Sequence, residues 1–403
     1  MPQLAQNLVA MMTTGADRLT DTLLANGVDV CFANPGTSEM HFVAALDRKP
    51  QMRCILGLFE GVVTGAADGF GRMKRTAAAT LLHTGPGLAN GLANLHNARR
   101  AQAPVINVVG DHASYHLPYD APLTTDIESL ARPMSDFVVR ARSPETVRAD
   151  TELAYLAAVA KASVSTVILP ADVSWGEASD VEVERAGVPA RPAPDGDWLR
   201  AVVTALRRHR SRFGIVVGGE GAFGPGLEAA GRIAAALGGE VFSEVIPGRQ
   251  QRGRGAYPVT KIPYQIDAAI RTLADVDFLL LAGAPEPVAF FAYPGKPSRL
   301  ALKAEVMSLG DRGTDIAAGL AALAEELGAS ARSVAYGALP DAPTDGALTG
   351  LAISAVLAHR LPDHAIVAYE GLTSAVELFD FCAAAPPRVT VRAAVIFAGV
   401  WVV

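Results

Sequence analysis

Three stretches decide how this chain folds: VDVCFANPGTSEMHFVAALDR at residues 28–48, LFEGVVTGAADGFGR at 58–72 and LLHTGPGLANGLANLHNARRAQAPVINVVGD at 81–111. Each joins an apolar run to a glycine-bearing turn and then to small and apolar residues at helical spacing, the pattern of strands alternating with helices. Val28 to Phe32 reads as a buried strand, preceded by a helix whose apolar face is Leu19, Leu23 and Leu24 and which Gly27 stops. Further strands are predicted at Met52 to Phe59, Ala77 to Leu82, Val105 to Val109 and Thr166 to Leu169, with helices over 61–72, 87–101 and 144–161. Such alternation predicts a parallel sheet covered on both faces.

Beyond this segment, residues 176–197 are polar and rich in proline, which marks a linker. A second α/β segment is predicted from Trp198, with strands at Gly214 to Val217, Glu240 to Val245, Phe278 to Ala282 and Val306 to Leu309. A second connection, 332–346, precedes a helix at Gly350 to Arg360 and a strand at Ala365 to Tyr369. The 403 residues are 50% hydrophobic and 19% charged, which excludes a disordered chain. A net charge of −6 provides no basic field, so neither nucleic acid nor an anionic membrane is expected as a partner. Three cysteines (Cys31, Cys54, Cys382) without a CxxC pair indicate a reducing compartment. The start lacks the pattern of a signal peptide. The apolar end, Ala393 to Val403, is shorter than the roughly 20 residues a spanning helix needs. A cytoplasmic location is the expectation.

In an open parallel sheet, ligands bind beyond the carboxyl ends of the strands. The residues just after each strand of the first segment are therefore informative. The first strand leads into Asn34-Pro35-Gly36-Thr37, with Thr37 placed to cap a helix or to touch a ligand. The second ends in Glu60, a carboxylate in apolar company that needs a partner unless it simply complements a helix dipole. His83-Thr84-Gly85-Pro86-Gly87 comes after the third, where His83 suits a site residue and a structural hydrogen-bonder equally. Asp111-His112 comes after the fourth; His112 and His116 read more readily as solvated surface. In the second segment, Gly219-Glu220-Gly221-Ala222-Phe223-Gly224 satisfies GxGxxG between a strand and a helix. Close helix–strand packing accounts for those glycines as well as a dinucleotide does.

The order of these motifs resembles the pyrimidine-binding domain of thiamine diphosphate (ThDP) enzymes, in the branch of acetolactate synthase and benzoylformate decarboxylase. TVILPADVSWGEA looks like the close of that domain, VVGGEGA like the start of a central domain, and AIVAYEGLTSAVELFDF like the opening of a diphosphate-binding domain. The resemblance thus implies successive three-layer α/β domains: 12–175 for the pyrimidine half, 198–331 central, and 347–403 an incomplete diphosphate-binding domain, joined by 176–197 and 332–346. It implies a 2-oxo acid decarboxylase or carboligase, the synthase belonging to branched-chain amino acid biosynthesis. It further implies a homodimer or homotetramer acting on a small 2-oxo acid.

By motif position, Glu60 would be the glutamate that hydrogen-bonds the aminopyrimidine ring, with Thr37 and His83 handling substrate and protons as in benzoylformate decarboxylase. Asn34, Pro35, Gly36, Gly85, Pro86, Gly87 and Asn90, together with Glu370 and Gly371, would contact the cofactor. The family anchors the diphosphate through Mg²⁺ on a Gly-Asp-Gly motif followed by Asn; this sequence contains no Gly-Asp-Gly, so no metal ligand is assigned. The chain would then be a shortened product of its gene, and a catalytically inactive remnant, or a subunit pairing with a complete paralogue, stays open. FAD, which true synthases bind in the central domain, also stays open. Phe59 and Asp111-His112 depart from the synthase pattern, where histidine and glutamine are usual.

Overall fold

The computed structural model describes residues 13–330, 338–369 and 377–392, which form two compact units that divide between Ala190 and Arg191. In the first, helices α1 (Gly15–Ala25), α2 (Met40–Arg48), α3 (Glu60–Lys74), α4 (Thr84–Arg100), α5 (Ile127–Ala131), α6 (Val147–Ala160) and α7 (Ala171–Trp175) surround six strands. The strands are β1 (Val30–Asn34), β2 (Arg53–Leu56), β3 (Ala78–Leu82), β4 (Val105–Asp111), β5 (Phe137–Arg140) and β6 (Val164–Pro170). All pair in parallel in the order β2-β1-β3-β4-β6-β5, so their carboxyl ends share one rim.

Alternation along the strands sends side chains to two separate cores. On β4, Ile106 and Val108 meet α1, α2, α6 and α7 through Leu19, Leu23, Phe42, Tyr155 and Val173. Val105 and Val109 meet α3, α4 and α5 through Val63, Leu88, Leu95 and Ile127 on the opposite face. Strand β5 has no counterpart in the sequence-based expectation, and β6 begins two residues before the expected start. Strand β6 carries the buried polar residues Ser165 and Thr166, and buried Ser135 precedes β5. A chain of hydrogen bonds crosses the sheet, from Thr80 Oγ1 to Asn107 Oδ1 (2.7 Å), from Asn107 Nδ2 to Thr166 Oγ1 (3.2 Å), and between Thr166 and Ser135 (2.7 Å). Polar residues that satisfy one another in this way can be buried at little net cost, so hydropathy reads a strand such as β6 as shorter than it is.

The expected linker after Trp175 is tied down along the first unit. Arg18 reaches Asp180 and the carbonyl of Val181, and Asn26 Oδ1 accepts from Ala186 N–H at 2.9 Å.

The second unit contains α8 (Gly196–Arg208), β7 (Phe213–Val217), α9 (Gly224–Leu237), β8 (Glu240–Ser243), β9 (Arg249–Arg252), β10 (Thr260–Lys261), α10 (Ile266–Thr272), β11 (Phe278–Ala282), β12 (Glu305–Ser308), α11 (Ile316–Glu326), α12 (Gly350–Arg360), β13 (Ala365–Tyr369), α13 (Leu378–Phe381) and β14 (Arg388–Arg392). Its parallel sheet runs β10-β8-β7-β11-β12. A smaller sheet, β13-β14-β9, joins the late segment to this unit, because β14 pairs antiparallel with β9. Among the described residues no helix is long and apolar enough to cross a membrane. Glu370, Gly371 and the apolar run 393–403 lie outside the described residues.

Candidate cofactor site

The strand order of the first unit reverses between β1 and β3: from β1 the chain moves outward to β2, then returns to add β3 on the other side. Connections on either side of such a switch point diverge and leave a crevice at the carboxyl ends. Asn34 ends β1 with Pro35-Gly36 after it, and His83 follows β3, so both border that crevice. Glu60 opens α3 after β2, where an unpaired helix terminus favours a carboxylate.

Glu60 is half-buried, and its Oε2 accepts a 3.0 Å hydrogen bond from Asn90 Nδ2. A Cβ on Gly87 would stand 3.3 Å from Glu60 Oε1 and 3.4 Å from His83 Cβ. The absent side chain thus keeps room between the Glu60 carboxylate and the base of the His83 side chain. Below this end, Thr64 Oγ1 bonds the carbonyls of Glu60 (2.9 Å) and Gly91 (3.0 Å), and Asn94 Nδ2 bonds that of Gly61 (2.7 Å). These contacts lock the first turn of α3 to α4.

His83 is held by a residue that sequence reasoning missed. Its Nδ1 lies 2.8 Å from Glu39 Oε2 and 3.2 Å from Ser38 Oγ. The same Glu39 oxygen accepts the Gly36 N–H at 2.7 Å. Two glycines permit the arrangement: a Cβ at Gly36 would overlap the His83 ring, and one at Gly110 would overlap Glu39 Oε1. Thr84, just after His83, has φ +50°, a strained value for a β-branched residue. Glu39 sits in the NPGTSE turn, where a carboxylate reads as a dipole complement; only the fold brings it to residue 83.

Thr37 is exposed, and the residue capping the short helix of 37–39 is Gly36, which corrects the expectation of a Thr37 cap. The loop gives Gly36 this place because Glu39 reaches back to its N–H. Gly85 is buried, where a Cβ would overlap Thr125, so internal packing already requires it; Pro86 is exposed. Asp111 is fully buried and turned inward, its Oδ2 accepting from Arg140 Nη1 at 2.6 Å and its Oδ1 from His112 N–H at 2.8 Å. His112 is not the solvated residue expected. It is half-buried, its Nε2 lacks a hydrogen-bond partner among the described residues, and only His116 is exposed.

The GxGxxG stretch sits at the other unit's switch point, between β7 and β11. That point is closed by the unit's own backbone. Gly218 N–H bonds the Ala282 carbonyl at 3.0 Å, a Gly218 Cβ would stand 2.7 Å from Gly283 O, and a Gly221 Cβ 2.5 Å from Ala282 O. These glycines serve backbone contact, and the turn does not fit a dinucleotide's diphosphate. Among the described residues no three His, Cys, Asp or Glu side chains stand together as a metal site.

A parallel α/β unit with a carboxylate, an imidazole and a glycine-lined gap at its switch point defines a cofactor-binding enzyme domain. Residues 13–130 match the family described as "Thiamine pyrophosphate enzyme, N-terminal TPP binding domain". IlvX of Mycobacterium tuberculosis, which bears the name of an acetolactate synthase large subunit, is 48% identical over 92% of this chain and 72% of its own length. This chain therefore belongs to the ThDP-dependent enzymes, in the acetolactate synthase and benzoylformate decarboxylase family. Benzoylformate decarboxylase of Pseudomonas aeruginosa is 28% identical over 66% of this chain and 51% of its own. Among solved structures, the ThDP-dependent 4-hydroxybenzoylformate decarboxylase of Rhodococcus jostii RHA1 superposes with a TM-score of 0.81 at 20% identity, covering 94% of this chain and 75% of that one.

Proposed function

We propose that this chain uses ThDP to decarboxylate a 2-oxo acid, in the manner of acetolactate synthase large subunits, with a pyruvate-type substrate and carbon–carbon bond formation after carbon dioxide leaves. The observation that carries the reading is Glu60 at the rim of the switch point, its carboxylate oriented by Asn90 beside the room kept by Gly87. When bound, ThDP supplies the electron sink for loss of carbon dioxide. The residues present fit its aminopyrimidine half. Glu60 would accept from and donate to that ring. Asn34, Pro35, Gly36, Gly85, Pro86 and Gly87 would line it.

His83 and Thr37 would handle the substrate and its protons, which are the roles a general acid–base pair fills. A second reading, a non-oxidative decarboxylase of the benzoylformate type, draws support from the Glu39–His83 pair, which suits delivery of a proton where a synthase would admit a second carbonyl. Residues 12–175 as the pyrimidine-binding domain, 198–331 as the central one and 347–403 as part of a diphosphate-binding domain belong to the same proposal. So do Glu370 and Gly371 as cofactor contacts, Mg²⁺ as the diphosphate's partner, a homo-oligomer and a cytoplasmic location. FAD is left out, because the glycine turn of the central unit packs on itself.

The test is turnover of pyruvate and of benzoylformate by the full chain with ThDP and Mg²⁺ added. Acetolactate from pyruvate supports the first reading, and benzaldehyde without ligation supports the second. No turnover of either, together with no ThDP binding by calorimetry, rejects both and leaves an inactive member of the family.

A further inference from the structure

The Glu39–His83 contact carries more than packing. The Glu39 side chain is 1% exposed and the His83 ring 26%, so one end of the pair is dry and the other faces the crevice. A carboxylate only accepts hydrogen bonds, so the ring nitrogen facing it must be the one that carries hydrogen. The other Glu39 oxygen, Oε1, is buried without a hydrogen-bond partner among the described residues, pressed where Gly110 has no side chain. A buried carboxylate with one bare oxygen is costly unless its remaining contacts are strong, and these are the Gly36 N–H and the imidazole.

We infer that Glu39 is a positioning residue that accepts the hydrogen bond of His83 Nδ1–H and so leaves Nε2 as the nitrogen that gives or takes a proton at the substrate. The role of Nε2 rests on the reading of His83 as a proton-handling group; the tautomer itself does not. Ser38 Oγ, at 3.2 Å from the same nitrogen, is farther than Glu39 Oε2 at 2.8 Å and carries no charge, so the carboxylate decides the tautomer. Only a proton moves in this scheme: the bare Nε2 takes it from solvent, giving an imidazolium, and releases it to the substrate carbon, which restores the starting tautomer.

The ring can be read directly in the full chain labelled with ¹⁵N-histidine, in which His83→Gln assigns one of eight histidines. Two-bond ¹H–¹⁵N correlations should show protonated Nδ1 and bare Nε2 in the parent. Glu39→Gln should retain that pattern, since the amide oxygen still accepts, and Glu39→Leu should lose it. Protonated Nε2 in the neutral parent ring, or an unchanged pattern in Glu39→Leu, overturns the inference. If Glu39→Leu does not fold, Gly110→Ala displaces the carboxylate without deleting it and is read the same way. Where 2-oxo acid turnover is present, Glu39→Leu should lower kcat by roughly 10- to 100-fold with KM nearly unchanged. Full activity in His83→Gln would remove the proton-handling reading while leaving the tautomer result standing.

A pair of thiols supports a second, independent inference. Cys31 of β1 and Cys54 of β2 are register partners on adjacent parallel strands, both free, with Cys31 buried and Cys54 exposed. Neighbouring strands lie about 4.8 Å apart, inside the Cα separation that a disulfide spans. A hydrogen bond from Cys31 holds the Cys54 thiol down to about 7, whereas Cys31 is pushed up by that same bond and by burial. Strand β1 ends in Asn34, and β2 ends at Leu56, shortly before Glu60 opens α3.

We propose that a peroxide closes these thiols into a reversible disulfide that loosens cofactor binding. The Cys54 thiolate attacks one peroxide oxygen, giving a sulfenic acid and hydroxide. Cys31 then attacks that sulfur and expels water. In sum two thiols lose two electrons and two protons, and hydrogen peroxide becomes two waters. After peroxide treatment of the full chain, mass spectrometry should find the Cys31 and Cys54 peptides joined, less two hydrogens, in the parent but not in Cys31→Ser or Cys54→Ser. Calorimetric ThDP binding should weaken and return with a dithiol reductant. Oxidation of Cys54 to sulfinic acid without a link, or unaltered ThDP binding in the linked chain, overturns the proposal.

Discussion

Glu60 has three neighbours that matter: Asn90 on one oxygen, the open side of Gly87 by the other, and the turn that Thr64 and Asn94 lock beneath it. Glu60→Gln keeps the shape and removes the proton exchange. Turnover of any accepted 2-oxo acid should fall by on the order of 10²–10⁴-fold, with an unchanged denaturant midpoint. A steady-state assay beside a urea titration checks both halves. Glu60 and His83 were legible in the sequence because Glu60 opens the helix that follows β2 and His83 comes directly after β3. Glu39 was not, since its partner lies 44 positions away and no local pattern distinguishes it from an ordinary helix-start acid.

At the scale of elements, two helices of the first unit show what holds the rim. Thr14 caps α1 by accepting from the Asp17 N–H, and Asp17 returns a bond to the Thr14 N–H at 3.0 Å. Thr14→Ala should cost about 1 kcal/mol in chemical denaturation. Burial pushes the Asp17 carboxyl up, but hydrogen bonds from Arg48 and Thr14 outweigh it and hold the group below its usual value. A lowered carboxylate stabilises the fold above its unfolded pKa, and that contribution is lost as pH falls through the folded value. The stability gap between parent and Asp17→Asn should therefore narrow below about pH 4, read from urea midpoints across pH.

Helix α3 carries a buried ion pair, Asp68 to Arg72 (2.6 Å), both side chains fully enclosed against α4. Burial raises the Asp68 carboxyl in spite of the arginine. Asp68→Ala removes the charge partner of the buried guanidinium and should destabilise the chain by about 3–5 kcal/mol, measured as a shift in unfolding free energy. Periodicity located most elements, including β11 and α12 at the very residues expected. It missed β5, a short strand of Phe-Val-Val-Arg just after Pro133-Met134-Ser135 that has no fully buried residue.

For the whole molecule, the most direct prediction is a binding signature. Anything that binds only the folded state stabilises it by mass action, about 2.7 kcal/mol at 100 times its Kd. ThDP with Mg²⁺ should raise the melting temperature of the full chain, and NADH should leave it unchanged. A rise with NADH alone would point back to the GxGxxG turn, in spite of its closed backbone.

The sequence by itself determined the α/β class, the parallel order of strand and helix, and the residues at the end of each strand. Those properties are local: hydrophobic period, turn chemistry and motif spacing are written within a few residues of one another. The tertiary structure decided which of those residues meet. It turned Asp111 inward onto Arg140, closed the glycine turn of the second unit on its own backbone, and brought Glu39 to His83. Such meetings depend on strand order, since β3 lies beside β1 only because the chain crosses back at the switch point. A carboxylate's role is set by whatever that crossing places against it.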